Sequence, residues 1–274
     1  MRVLVTSTED TASQTIARAL REDYEFKMTD EMFEGNPVYK LDESALLITM
    51  NQDMIHSGYL EEHFEAEVFI YCSRHRAASG KPALLVHSTG NFGPQADFGG
   101  NPRQLSISAP SLVSIALKSL NKQKTGRNLS EFDVTLEVTH HGPTSMNTPL
   151  LFVELGSDET YWRHEEGARA VATAVMDCVK APMTGSASIG FGGTHYASKF
   201  NKLVLEKGVT IGHVAPKYAL NEITQDIVSQ MLKRSAQEIT QAIIDWKGTN
   251  AENKAVLFPI LEGLGIPVVR ASRL

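Results

Sequence analysis

Long apolar runs are missing from this chain of 274 residues. The longest are clusters such as Pro149 to Leu155, far short of the ~20 residues that cross a bilayer as a helix, so a membrane span is excluded. Cysteine is nearly absent. Cys72 and Cys178 are too few for a disulfide framework and have no Cys-x-x-Cys spacing. One falls in an apolar strand run and the other on the apolar stripe of a helix, so both are expected to be buried structural thiols. An excess of positive charge is also missing. The net charge of −6 argues against a protein that coats nucleic acid non-specifically, although it allows a local basic patch. Several motifs are absent as well: the Walker lysine loop, a spaced Gly-x-Gly-x-x-Gly, a Gly-x-Ser-x-Gly elbow and a His-Glu-x-x-His pair. Nucleotide hydrolysis, NAD chemistry and a covalent acyl-enzyme are therefore disfavoured, which leaves hydrolysis by an activated water. Met1 to Ser7 runs straight into a strand pattern without a charged and apolar leader, so a cytoplasmic protein is expected.

What is present alternates between strands and helices. Val3–Ser7, Ala45–Met50, Glu67–Ser73 and Ala83–Thr89 are continuous apolar runs, as in strands covered on both faces. A capping box at Thr11–Gln14 opens a first helix. Residues 22–44 read as charged and irregular, and Gly90–Asn101 as an irregular loop of functional length. Ala109–Lys124 has helical spacing, ending in Lys118, Lys122, Lys124 and Arg127. Such cations suit the carboxyl end of a helix, and they would equally suit a nucleic-acid backbone. Ser157-Asp158-Glu159 starts another helix, and further helices are expected from Ser198, from Ile223 to Gly248 and from Lys254 to Leu261. Val209–Val214 and Pro267–Arg270 complete the strands. The pattern predicts a three-layer α/β fold with a largely parallel or mixed central sheet and a single domain over residues 1–274.

Of nine histidines, His87, His140, His141, His195 and His213 fall in or beside predicted strand ends, flanked by Gly, Thr or Asn. If the sheet is parallel, those ends gather on one edge, where α/β proteins bind ligands. Imidazole is the commonest neutral metal ligand, and a catalytic zinc takes three protein ligands. The central stretch is Leu136 to Pro143, read as a strand that ends in a His-His-Gly-Pro turn. On a regular strand Glu137 and His141 would stand roughly 13 Å apart, too far to share an ion. Glu137 is thus the weaker candidate, with Glu154 the other carboxylate able to complete or orient the set. On a regular strand His140 and His141 point to opposite faces, so both can serve only if the strand ends between them, as Gly142-Pro143 allows; otherwise one supports the other. The turn Gly190–His195 offers backbone N–H groups for a phosphate or an oxyanion, or is a tight turn that simply needs glycine.

The segments His87-Ser88-Thr89-Gly90-Asn91, Glu137 to Pro143, Gly192-Gly193-Thr194-His195-Tyr196 and Gly212-His213 together resemble D-aminoacyl-tRNA deacylases of the archaeal and plant type, over nearly the whole chain. The resemblance implies a phosphorylase/hydrolase-like α/β fold and a zinc-dependent hydrolase that cleaves D-amino acids from tRNA. The resemblance carries the five histidines over as motif positions; read from the residues, His87, His141, His195, His213 and Glu154 are the expected metal set. His140, His141 and Thr139 would handle the proton, and the Gly192-Gly193 backbone would hold the oxyanion. Asn91, Thr144, Asn147 and Thr194 are candidates to position the amino acid. Lys118, Lys122, Lys124, Arg127, Lys199 and Lys202 are candidates for tRNA phosphates. A monomer without an obligatory protein partner is expected.

Overall fold

A computed structural model describes all residues, Met1–Leu274. Strands β1 (Arg2–Ser7), β2 (Lys27–Phe33), β3 (Asn36–Leu41), β4 (Ala45–Met50), β5 (Val68–Arg76), β6 (Ala83–His87), β7 (Asp133–Leu136) and β8 (Leu150–Ser157) form one sheet. Its order is β2-β3-β4-β1-β5-β8-β6-β7. Strands β9 (Ser186–Phe191), β10 (Ile211–Ala215), β11 (Glu238–Ile244) and β12 (Val268–Arg270) form a second, in the order β10-β9-β11-β12. The helices are α1 (Thr11–Asp23), α2 (Leu60–His63), α3 (Pro110–Gly126), α4 (Glu159–Trp162), α5 (Glu165–Lys180), α6 (Ser198–Lys207), α7 (Gln225–Lys233) and α8 (Ala251–Gly263). This is the expected α/β architecture. The large sheet is mixed: β4, β1, β5 and β8 run parallel, while β6 opposes β8 and β3 opposes both of its neighbours.

Side-chain alternation gives the two faces of the large sheet different jobs. Ile70, Cys72, Val153 and Leu155 join Ile16, Leu112, Val113 and Val171 of α1, α3 and α5 in a core cluster of 44 buried residues. Ile211, Val214 and Ile243 of the second sheet belong to the same cluster, so both sheets share it. Tyr71 and Phe152 project from the other face into a smaller cluster with Met54 and Leu60, which precede and open α2. Ser73, His75 and Glu154 follow Tyr71 and Phe152 at the same alternation, so this face carries the ionisable groups. Both cysteines are buried, as expected.

Four expectations give way. Residues 22–44 hold the hairpin β2–β3 rather than an irregular loop. Phe33 pairs with Asn36 across a two-residue turn in which Glu34 and Gly35 both have positive φ, the geometry that matches strand twist. The helix expected to run from Ile223 to Gly248 stops at Lys233. Ile239, Thr240, Ile243 and Ile244 favour the pleated strand β11 that follows, where β-branched side chains pack well. The strand through His141 also ends early, at Leu136. Beyond it Glu137 N–H donates to Val86 O, Val138 N–H to His195 O and Thr139 N–H to Val214 O, so this segment stitches the two sheets together. Since β6 and β7 run against β8, the histidines gather over the middle of a sheet face, not along one parallel edge.

Candidate functional site

His87 ends β6 opposite Phe152 of β8. The next residues bridge to the His-His turn, with Thr89 paired to His140 and Gly90 N–H donating to His141 O at 2.8 Å. His141 adopts φ +44°, a conformation that costs a non-glycine residue on the order of 1–3 kcal/mol. Gly142 beside it is required sterically, since a Cβ there would lie 2.3 Å from Gly100 N. The loop Asn91–Asn101 therefore seats directly on the turn. The rings of His87 and His140 stand 4.2 Å apart, those of His87 and His141 4.8 Å, and those of His140 and His195 4.7 Å. Four of the five expected histidines do converge.

Their hydrogen bonds fix the tautomers. Nδ1 of His87 meets Ser88 O at 3.2 Å, Nδ1 of His140 meets Val138 O at 2.8 Å, and Nδ1 of His141 meets Gly142 O at 2.6 Å. A carbonyl only accepts, so each Nδ1 carries the proton and each neutral ring keeps a lone pair on Nε2. Ligand atoms of these three histidines lie within 4.8 Å of one another, and the buried His87 Nε2 has no hydrogen-bond partner. Histidines that bind metals characteristically donate their other N–H in this way. The three residues fit a metal ion.

Carboxylates charge the corner. Glu154 is buried, takes a hydrogen bond from Ser73 Oγ at 2.7 Å, and lies 3.5 Å from His75 Nδ1 and 3.7 Å from His87 Nε2. Glu137 is 1% exposed and has no aligned hydrogen bond, with Oε1 3.0 Å from His195 Nε2 and 3.5 Å from His75 Nδ1. Buried charge is costly unless paired, so two carboxylates here demand positive charge nearby. Burial opposes the charged form of His75 and His87, yet Glu154 and Glu137 outweigh it and raise both pKa values. Burial also works against Glu154, but the imidazoles of His75 and His87 hold it well below the usual carboxylate range. His140 is the converse. Burial, then the neighbouring imidazoles His87, His141 and His195, keep it neutral. Burial and His87 pull His141 down to about 4.

Several sequence candidates stand elsewhere. His213 is the main correction: Nε2 donates to Ser106 O at 3.0 Å and Nδ1 faces Thr139 Oγ1 at 3.2 Å, so neither nitrogen is free for a metal. Thr139 serves the same junction, its hydroxyl oxygen accepting Val214 N–H at 3.0 Å. Gly192 and Gly193 are turn glycines at φ +101° and +84° whose N–H groups are spent on Ala215 O and Gly248 O, so neither can hold an oxyanion. Thr144 is buried between Asn101 N and Gln104 Oε1, and Asn147 is exposed on Glu61, so both brace loops. Asn91 ties its own loop through Gly99 O at 2.9 Å but lines the cleft beside the histidines. Thr194 is exposed next to His195. Lys199 and Lys202 lie in the first turns of α6, shortly after His195. After α3, by contrast, the chain enters β7 at Asp133 opposite Ala83, the end of β6 away from His87. Lys122, Lys124 and Arg127 thus lie remote from the histidines, Arg127 pairs with Glu166 at 2.8 Å, and Lys118 is exposed on the same helix.

His75 went unnoticed because β5 was expected to end at Ser73. Extending the alternation Tyr71, Ser73, His75 by one step would have found it. Glu137 was discounted on strand spacing that does not apply beyond Leu136.

A family model described as D-aminoacyl-tRNA deacylase matches residues 62–269. A D-aminoacyl-tRNA deacylase of Thermococcus onnurineus is 34% identical over 98% of this chain and 100% of its own length. One from Methanocaldococcus jannaschii is 33% identical over 96% of this chain and 97% of its own. The crystal structure of a conserved protein of unknown function superposes with a TM-score of 0.91 at 30% identity, covering 100% of this chain and 96% of that one. The chain belongs to the D-aminoacyl-tRNA deacylase family.

Proposed function

We propose that this protein hydrolyses the ester joining a D-amino acid to the terminal ribose of tRNA, releasing the free amino acid and tRNA, with a zinc ion held by His87, His140 and His141. Family membership supports the substrate and the reaction. The metal rests on one observation, the three Nε2 lone pairs left by Nδ1 donation to backbone carbonyls. Three protein ligands are the usual complement of a catalytic zinc. When bound, such an ion supplies a Lewis acid for the ester carbonyl and lowers the pKa of water towards neutrality.

The remaining groups divide the work. His195 faces Glu137 through Nε2 and the Tyr218 hydroxyl through Nδ1 at 3.1 Å, so it is equipped to hold or release a proton at Nε2 beside a buried carboxylate. Glu154 balances charge between His75 and His87. Every group in this site comes from one chain, so a monomer without an obligatory protein partner suffices, and a tRNA substrate fits a cytoplasmic enzyme. The deciding experiment is release of D-tyrosine from D-Tyr-tRNA before and after chelation. Chelation is expected to abolish release and added zinc to restore it. If the metal-replete protein leaves the ester intact, the reading fails.

A further inference from the structure

Two cavities meet at the histidines. Both are lined by Phe98, His140, His141 and His195, one measuring about 380 Å³ and the other about 530 Å³, each in the range of small-molecule sites. An aminoacyl ester has two halves, and the groups able to act on its carbonyl stand where the cavities join. Behind that junction, ligand atoms of Glu137 lie within 4.8 Å of His140 and His195, and those of His87 within 4.8 Å of His140 and His141. Each cavity is thus suited to one half of the ester.

Their walls differ. The smaller cavity carries Asp10, Asp53 and Glu154 against Arg74 and Arg76. Asp53 is half-exposed, with Oδ2 3.4 Å from Arg74. That lining has three carboxylates where the larger cavity has one, which favours an α-ammonium group there. The larger cavity has one carboxylate, Glu222, already paired to Arg103 at 3.1 Å. It also has two aromatic rings turned largely to solvent, Phe98 at 71% and Tyr218 at 63% exposure, with the amides of Asn91 and Gln95 beside them. Phe98 is held in place, since its carbonyl accepts Gly142 N–H at 3.0 Å from the His-His turn. Exposed aromatic faces beside neutral hydrogen-bonding groups are how proteins receive an unpaired base.

We propose that the larger cavity binds the terminal adenosine of tRNA, its base against Phe98 and Tyr218, and that the aminoacyl group enters the smaller cavity with its ammonium towards Asp53. This rests on the deacylase reading. The test is inhibition of D-Tyr-tRNA hydrolysis by AMP and by D-tyrosinamide, in wild type, Tyr218→Ala and Asp53→Asn. Asn at position 53 can still cap Ile55 N–H, and Tyr218, which lines the larger cavity only, is a surface side chain, so both variants should fold. Tyr218→Ala is expected to raise the Ki of AMP about tenfold, the scale of one lost stacking contact, and to shift that of D-tyrosinamide by less than about twofold. Asp53→Asn should do the reverse. Absence of AMP inhibition in wild type, or an exchanged pattern, overturns the assignment of the cavities. Wild-type protein that does not hydrolyse D-Tyr-tRNA at all instead overturns the deacylase reading beneath it.

Discussion

His87 and His213 start from the same description, an imidazole in an apolar strand with every ring atom buried. They differ by a single nitrogen. His213 spends both, on Thr139 Oγ1 and on Ser106 O, and so closes the seam between the two sheets. His87 spends Nδ1 on Ser88 O and leaves Nε2 facing His140, His141 and Glu154. Burial makes a histidine neutral or paired; an unsatisfied nitrogen aimed at other such nitrogens gives it chemistry. The strongest way to break this comparison is to remove the rings in turn. Because mutations one shell removed from a metal already cost 10–100-fold, His87→Ala or His141→Ala should lower kcat/KM for D-Tyr-tRNA by more than about a hundredfold and release the metal. Circular dichroism should show the fold retained. A His87→Ala protein with wild-type turnover and metal content would erase the distinction.

His213 should answer through stability instead. Truncation to Ala leaves buried polar partners unmatched and opens a cavity, a loss of about 3 kcal/mol in urea unfolding, while zinc content stays at the wild-type level. Its titration sharpens the point. Burial pulls the His213 pKa down to about 4. The unfolded chain binds this proton near pH 6.5 and the folded chain only near 4, so the neutral ring favours the fold above pH 6.5 and that advantage drains away as pH falls towards 4. The fall amounts to about 3 kcal/mol. Between pH 7 and pH 4, wild type should therefore lose that much more stability than His213→Ala. Equal slopes would mean that His213 is not held neutral.

Why His87 and His213 looked alike in sequence, and why much else did not mislead, has a physical basis. Continuous apolar runs identified β1, β4, β5 and β6, because a strand covered on both faces leaves a strong local pattern. Helical spacing placed α3 and α5 for the same reason. The hairpin β2–β3 was missed because its outer strand is exposed, so Lys27–Phe33 has little apolar signal. The run Ile223 to Ile243 satisfied helical spacing while its second half paired with β9. Strand direction is a non-local property, and the expectation of a single edge failed on it. In the site, the residue types were legible and their partners were not. Whether a histidine nitrogen is free depends on carbonyls at Ser106 or Val138 that no spacing rule reports. Glu137 shows the cost of assuming regular structure, since one residue past the end of β7 the 3.3 Å strand rise no longer measures anything.

The smallest expected effect separates two basic regions rather than two histidines. Lys199 and Lys202 begin α6 within a few residues of His195, whereas Lys122 and Lys124 lie towards the end of α3, beyond the far end of β6. If a tRNA whose terminus reaches the histidines leaves past His195 and Tyr196, it meets the first pair before the second. Phosphate contacts add affinity without sequence preference, and each one lost lowers the salt dependence by about one ion. Lys199→Ala with Lys202→Ala should therefore raise KM for D-Tyr-tRNA a few-fold and flatten its dependence on salt, with kcat unchanged. Lys122→Ala with Lys124→Ala should move neither by more than about twofold, the behaviour of solvated charges at a helix carboxyl end. KM measured at several salt concentrations decides it. If the α3 pair carries the salt dependence, the RNA approaches across the helical face of the large sheet, and the cavity beside Phe98 would have to be reached from the other side.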